Sequence, residues 1–309
     1  MITRIVVVGS LNADFVVRTK RFPAAGETVA GESFAMFPGG KGANQACAAA
    51  RLGGVVSMVG QVGNDTPAEA LRLSLASAGV DISHVDRDGG VSSGIAVIGL
   101  EASGQNRIVI VPGSNGTFTP ERLERSRDLI ASASIVLLQL EIPMATVTAA
   151  ASLAHRAGAR VILDPAPAAP VPDELLRYAD YITPNETELA VLTGARPGKG
   201  LTRKAAAKRA GELIARGARK VIVKMGAAGA LLVDGTREQF WPARRVKAVD
   251  TTAAGDAFNG AFAVALAEGQ SEDEAGAFAC AAAAVSVTRP GAQPSMPARE
   301  EVRRLLAKR

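Results

Sequence analysis

Short runs of β-branched and aliphatic residues recur along the chain at 5–8, 55–59, 135–140, 160–163, 181–183 and 221–224. Between them lie longer stretches with apolar positions three and four apart, over 43–52, 67–78, 120–131, 144–157 and 187–192. Runs that are apolar at successive positions and too short for helices read as strands buried on both faces, and the periodic stretches as the helices that cover them. The alternation predicts βαβ units and an α/β fold with a mainly parallel sheet sandwiched by helices. Two regions break the rhythm. Residues 14–37 and 93–111 lack helical spacing but contain Phe15, Val16 and Val17, an apolar run over 94–100 and another over 107–111. They are expected to pair as a small β-sheet projecting from the main one. Pattern alone leaves open whether that sheet is a lid over a site or a surface hairpin.

With 309 residues, 48% of them hydrophobic, the chain can bury a full core, so disorder is set aside. No linker or internal repeat divides it, and one α/β domain over 1–309 is expected. The net charge of +5 raises the question of nucleic acid, but aromatic residues, at 4%, leave few stacking platforms. The densest basic stretch, 203–220, carries Ala206, Ala210, Leu213 and Ile214 at helical spacing, so its charges read as a solvated helix face. Cys47 and Cys280 sit in alanine-rich helical runs and read as buried small hydrophobes in a reducing, cytoplasmic setting. The apolar stretch within residues 1–8 is too short for a signal peptide, and the longest small-apolar run, 277–287, falls short of the ~18 residues a membrane span needs. Neither nucleic acid nor a membrane is an expected partner.

His84 and His155 are the only histidines and have no ligand spacing around them, which argues against histidine triads and zinc sites. The segment 194–200, Gly-Ala-Arg-Pro-Gly-Lys-Gly, is one residue short of a Walker A loop and ends in Gly where Ser or Thr would hold Mg²⁺, so it reads as a surface loop. No G-x-G-x-x-G follows the first strand. Two segments carry positive signals. Residues 38–45, Pro-Gly-Gly-Lys-Gly-Ala-Asn-Gln, precede an alanine-rich helix; glycines there let backbone N–H groups approach a ligand, and Asn44 can both donate to and accept from a hydroxyl. The same glycines would also serve a plain turn into a helix. In 249–262, Asp250 is followed by a small-residue turn and then by Asp256 at the start of an apolar helix. Ala253, Ala254 and Gly255 leave the helix N-terminus open to an anion such as a phosphoryl group in flight. Asp256 lies within one turn of that hole, either as a proton acceptor for an attacking hydroxyl or as an ordinary N-terminal helix carboxylate.

Taken together, these segments resemble the ribokinase-like (PfkB) family of carbohydrate kinases. The similarity is carried by residues 39–45 and 250–258 and, in the same order as in the family, by Gly9-Ser10-Leu11-Asn12-Ala13-Asp14, Pro184-Asn185-Glu186-Thr187-Glu188 and Thr288-Arg289-Pro290-Gly291-Ala292-Gln293-Pro294-Ser295. The resemblance implies ATP-dependent phosphorylation of a small sugar, with the 5-hydroxyl of D-ribose as the expected acceptor. Deoxyribose, adenosine or another acceptor within the family remains the nearest alternative, and a non-catalytic sugar or nucleotide sensor the alternative of another class. It further implies that Asn12, Asp14, Gly40, Lys41, Asn44 and Glu141 hold the sugar. Asp256 would be the general base, with Ala254 and Gly255 forming the anion hole. Asn185 and Glu188 would organise Mg²⁺ through water, and Lys224, Gly226, Gly229, Gly255 and Cys280 would lie along the ATP with Asn185. Asp250, Thr252, Ser286, Arg289, Gly291 and Ser295 would form a K⁺ loop, largely through carbonyls. The two excursions become a β-lid that also joins two subunits into a homodimer. Two positions depart from the family's ribokinase pattern: Lys224 stands where Thr is common, and Cys280 where a His can lie near the adenine.

Overall fold

The computed structural model describes residues 3–307 except 104, 197 and 199, so Met1 and Ile2 of the N-terminal apolar stretch and Pro197 and Lys199 of the glycine-containing loop at 194–200 lie outside the described residues. The strands are β1 (Arg4–Val8), β2 (Asn12–Thr19), β3 (Ser33–Gly39), β4 (Val55–Gly63), β5 (Asp81–Asp88), β6 (Gly94–Glu101), β7 (Asn106–Val111), β8 (Ile135–Leu138), β9 (Arg160–Leu163), β10 (Tyr181–Ile182), β11 (Val221–Lys224), β12 (Gly229–Val233) and β13 (Glu238–Pro242). Nine form the main sheet in the order β13-β12-β11-β10-β9-β8-β1-β4-β5. Every neighbouring pair from β11 to β5 is parallel, and β12 and β13 extend the sheet antiparallel.

The sheet is buried on both faces because successive residues of its central strands supply two separate cores. Ile5, Val7, Ile135, Leu137 and Ile162 pack beneath the helices Lys41–Arg51, Thr66–Ser77, Ala254–Ala267, Glu272–Ser286 and Arg299–Ala307. Val6, Val8, Val136, Leu138, Val161 and Leu163 pack beneath Met144–Arg156, Asp173–Tyr178, Glu186–Leu192 and Arg203–Ala215. Side chains alternate across a pleated strand, so an unbroken apolar run is what two covered faces require. One helix pair packs with almost no space between its backbones. A Cβ on Gly260 would meet the Ala48 Cβ at 2.7 Å and the Ala49 nitrogen at 2.9 Å. Lys41–Arg51 and Ala254–Ala267 therefore lie in close contact through small residues, which brings the ends of both glycine-containing motifs together.

Several expectations need adjustment. The stretch 120–131 is two short helices, Pro120–Leu123 and Arg127–Ala131, joined by a 3₁₀ turn, Glu124–Ser126. The turn tucks Ser126 inward, where its Oγ lies 2.9 Å from His84 Nδ1. The strand expected over 135–140 ends at Leu138, and the chain leaves the sheet at Gln139. The apolar pattern does not anticipate β5, the β12–β13 hairpin or the Arg299–Ala307 helix. The Arg203–Ala215 helix does bury Ala206, Ala210 and Leu213 and turns its basic residues outward, with Ile214 partly covered. Cys47 and Cys280 are both buried free thiols on helices.

The two excursions form a second sheet in the order β3-β2-β6-β7, so its elements run from Asn12 to Gly39 and from Gly94 to Val111. Register places Met36, Phe15, Val97 and Val109 in one row across the four strands, and Phe37, Asp14, Ala96 and Ile110 in the next. Adjacent rows face opposite sides, so Asp14 points away from the face on which Phe34 and Val109 stay 64% and 63% exposed.

Candidate active site

Polar residues gather where the parallel strands end at their carboxyl edge, the usual site location in an open α/β sheet. Ser10 and Asn12 follow β1, Gln139 and Glu141 follow β8, Asp164 follows β9, Asn185 follows β10, and Lys224 closes β11. The starts of the helices Lys41–Arg51 and Ala254–Ala267 meet them there.

Glycine is required at the turn into the first helix. Gly40 has φ 89°, and a Cβ on it would sit 2.7 Å from the Asn12 nitrogen; a Cβ on Gly39 would sit 2.1 Å from Asp14 Oδ2. The close approach lets Glu141 Oε2 accept from Ser10 Oγ at 2.5 Å, from the Lys41 backbone N–H at 2.9 Å and from Asn12 Nδ2 at 3.5 Å. Asn115, just beyond the second sheet, holds Asn12 by donating to its Oδ1 at 2.7 Å and ties down Leu11 through both of that residue's backbone groups. Asn44 donates to Asp256 Oδ2 at 3.0 Å, while its buried Oδ1 has no protein partner. A free acceptor beside a carboxylate and a second amide is a receptor for hydroxyl groups. Hydrogen bonds join Asn12 and Lys41 to Glu141 and Asn44 to Asp256, and Asp14 lies close enough to feel the charges of Glu141 and Asp256.

Burial pushes the Asp14 carboxyl up to about 7, with the charges of Glu141 and Asp256 adding to the effect. Burial likewise lifts Asp256 to about 6; the Lys41 ammonium opposes this, Asp164 adds to it, and the amides of Gln45 and Asn44 oppose it. Burial alone would lower Lys41, but the carboxylates of Asp256, Asp164, Glu141 and Glu188 outweigh it and hold the ammonium above its usual range. A carboxylate balanced near neutrality, buried and hydrogen-bonded, is suited to proton transfer.

Ala253, with φ 59°, is the only described non-glycine residue at positive φ. Its left-handed conformation starts the Ala254–Ala267 helix abruptly, with no side chain capping it. Ala254 and Gly255 then line a cleft of about 720 Å³ together with Asp256. A Cβ on Gly255 would lie 3.2 Å from Lys224 Nζ, so an ammonium sits beside the uncapped helix end. Uncapped N–H groups plus that cation form an anion site.

The cleft is also lined by Gly226, Gly229, Ala243, Val246, Cys280 and Val287. The Cys280 thiol, pushed up to about 12 by burial, is a neutral wall that points to the Trp241 carbonyl at 3.7 Å. Asn185 and Glu188 cap their helix reciprocally: Asn185 Oδ1 accepts from the Glu188 N–H at 2.9 Å, and Glu188 accepts from the Asn185 backbone and side chain, each at 2.7 Å. Burial raises Glu188. Among the described residues no group of three or more acidic, His or Cys side chains forms a metal cage. A divalent ion here would rest on this carboxylate, on water and on ligand phosphates, an arrangement that fits Mg²⁺.

Behind the helix start, Asp250 Oδ1 accepts from Thr252 through N–H and hydroxyl at 2.9 and 2.7 Å, and Oδ2 accepts from the Gly291 N–H at 2.9 Å. The carboxylate thereby joins the segments 250–252 and 287–291, which the Val287 carbonyl also links by accepting from Val249 and Asp250. The donor set, carboxylate, hydroxyl and carbonyl oxygens, suits a hard alkali cation. The buried Ser286 and Ser295 hydroxyls bond to Ala283 O and Ala292 O rather than to Asp250, and the Arg289 side chain turns to Glu301 at 3.0 Å.

Ser10, Gln45, Asn115, Gln139 and Asp164 are site residues that sequence reasoning missed. For Ser10, Gln139 and Asp164 a signal existed, since each is a polar residue at or just past the end of an apolar strand.

A family model described as pfkB family carbohydrate kinase matches residues 2–299. A ribokinase of Bacillus subtilis is 43% identical over 303 residues, covering 98% of this chain and 99% of that protein. A deoxyribokinase of Salmonella typhi is 38% identical over 306 residues, 98% of each chain. The structure of an Arabidopsis thaliana ribokinase complexed with ribose and ATP superposes with a TM-score of 0.94 at 38% identity, covering 99% of both chains.

Proposed function

The chain belongs to the pfkB family of carbohydrate kinases, and on that premise we propose that it transfers the γ-phosphoryl group of ATP to the 5-hydroxyl of D-ribose, giving D-ribose 5-phosphate and ADP. One observation carries the reading: Asp256, hydrogen-bonded to Asn44, lines a cleft of about 720 Å³ one turn into an uncapped helix. Each group of residues then has its own task. Asn12, Asp14, Asn44 and Glu141, with the turn at Gly40 and Lys41, orient the sugar so that its 5-hydroxyl meets Asp256. Asp256 accepts the hydroxyl proton as the oxygen attacks phosphorus. The N–H groups of Ala254 and Gly255 stabilise charge on the transferring group. Lys224, Gly226 and Gly229 lie along the phosphates, and Cys280 lies against the base.

Mg²⁺, bound with the nucleotide, would supply charge neutralisation at the phosphates, held through water by Asn185 and Glu188. K⁺ would be held by carbonyl and side-chain oxygens of Asp250, Thr252, Ser286, Arg289, Gly291 and Ser295, ordering the adjoining helix start. The same proposal includes a lid-mediated homodimer, supported by the uncovered apolar row on the second sheet, and a cytoplasmic setting, where ATP is made and two free thiols stay reduced.

Acceptor profiling with coupled detection of ADP tests the reading. D-ribose is expected to give the highest kcat/KM in a panel containing 2-deoxyribose, adenosine and other pentoses. A higher value for 2-deoxyribose would move the assignment to the deoxyribokinase reading that the Salmonella relative favours. Ribose binding with no ADP formation would make the protein a sensor.

A further inference from the structure

Asp256 does not stand alone in the protein. A single file of buried side chains joins it to the nucleotide cleft. Gln139 Nε2 donates to Gln45 Oε1 at 2.7 Å. Gln45 Nε2 donates to Asp256 Oδ1 at 3.1 Å and to Asp164 Oδ2 at 2.9 Å. Asp164 Oδ1 accepts from Lys224 Nζ at 2.8 Å. Gln45 and Gln139 are fully buried and Asp164 is 2% exposed, while Lys224 reaches the cleft lining.

The arrangement has one satisfactory orientation. A flipped Gln45 would turn its oxygen toward two carboxylates and its NH₂ toward the NH₂ of Gln139. Gln45 therefore holds both carboxylates at fixed distances. Asp164 is bound at one oxygen by this amide and at the other by the ammonium beside Gly255.

We propose that Asp164 is a positioning residue for phosphoryl transfer: one oxygen pins Lys224 beside the anion hole, and the other, through Gln45, pins the base Asp256. The inference rests on the kinase reading of the cleft. It has an electrostatic consequence. Lys224 neutralises Asp164, so phosphates that draw on the ammonium leave more of the Asp164 charge to act on Asp256, whose hold on a proton strengthens once the donor is in place. The groups facing Asp256 are Lys41 and the amides of Asn44 and Gln45 from the Lys41–Arg51 helix, Asp14 from β2, and Asp164 after β9. Lys224 and Glu188 stand behind Asp164.

Two variants test this in the full-length protein. Asp164→Asn keeps the size of the side chain but meets two donors with one acceptor. It is expected to lower kcat/KM for ATP by about 10- to 100-fold, the scale of a small misplacement of reacting groups, with calorimetric D-ribose affinity in the absence of nucleotide little changed. The acidic limb of the kcat–pH profile moves to lower pH in Asp164→Asn, because a negative neighbour of the base is gone. In Lys224→Met the limb moves to higher pH, because Asp164 is left unneutralised. Wild-type kinetics in Asp164→Asn overturn the proposal. So does loss of activity with the limb unmoved in both variants, which is what a purely structural role would give; if Asp164→Asn fails to fold, an unmoved limb in Lys224→Met has the same force. Absence of ribose-dependent ADP formation by the wild-type protein would instead remove the kinase reading itself.

Discussion

Two carboxylates in this site gain chemistry at the expense of stability. Asp256 is raised to about 6, chiefly by burial, and as the proposed base it would set the lower edge of activity. A base must be ionised, so kcat/KM for ribose is expected to fall about tenfold per pH unit below pH 6 and to level off above it. Asp256→Asn should lower kcat by ~10² to 10⁴ while calorimetry shows ribose binding largely retained, because Asn keeps one of the two hydrogen bonds from Asn44 and Gln45 but accepts no proton. Near-normal turnover would refute the assignment. Asp14 is raised further, to about 7, from an ordinary 3.8. A folded state that raises a carboxylate binds more protons than the unfolded one, so stability falls as pH climbs from about 4 to 7 and the cost is complete above that. The full displacement corresponds to about 4 kcal/mol, of which solvent at this part-exposed carboxyl takes a share. Asp14→Asn is therefore expected to stabilise the ligand-free protein by about 1–2 kcal/mol at pH 8 and by nothing at pH 4, while weakening ribose binding. Thermal melts at the two pH values decide it. Asp256 was legible beside its turn of small residues, and Asp14 only through the family resemblance of residues 9–14. The sequence hid the roles of Asp164 and Gln45, which depend on partners 60 to 211 positions away in the chain.

At the scale of elements, the helix Ala254–Ala267 is shaped at its first residue. Ala253 adopts φ 59°, a region that costs an L-residue roughly 1–2 kcal/mol and glycine almost nothing. Ala253→Gly should keep activity and change stability by less than about 1 kcal/mol, the relieved strain offsetting the greater freedom of the unfolded glycine. Ala253→Val, β-branched in the same conformation, should cost about 2 kcal/mol or more and most of the turnover, as denaturant melts beside kcat would show. The loop behind this turn is held by Asp250 across to Gly291, and an alkali cation there would stiffen the same helix start. Replacing K⁺ by Na⁺ at constant ionic strength is expected to lower kcat more than it changes ribose affinity; indifference to the cation would overturn the assignment of the loop. Elements buried on both faces were legible from their apolar runs, as with β1, β8 and β9. β5 was not, because Asp81, Asp86, Arg87 and Asp88 interrupt its apolar positions on a strand that closes the sheet at one edge. The 120–131 stretch has helical spacing throughout, but burial of Ser126 against His84 favours a tighter turn at its centre.

At the scale of the whole molecule, the second sheet presents two faces with different demands. On the proposed function the row containing Asp14 would cover the sugar, because water left in the cleft would accept the phosphoryl group in place of ribose. The opposite row, with Met36, Val97 and Val109, is left in solvent together with Phe34, although a soluble monomer rarely exposes a large contiguous apolar patch without a use for it. A second copy of the chain can cover this face with its own, a self-complementary arrangement in a twofold dimer. Such pairing would also stiffen β7, whose residues are all exposed at an edge of the sheet, and so hold the sugar-facing row in place from outside. The Phe34→Asp, Val109→Asp double variant puts two charges on this face without touching Asp14 or the main sheet. Light scattering is expected to show a dimer for the wild-type protein and a monomer for the variant, with the KM for ribose raised by about tenfold or more as the loosened lid covers the site less often. A wild-type protein that is monomeric at micromolar concentration and fully active would show instead that the lid orders itself.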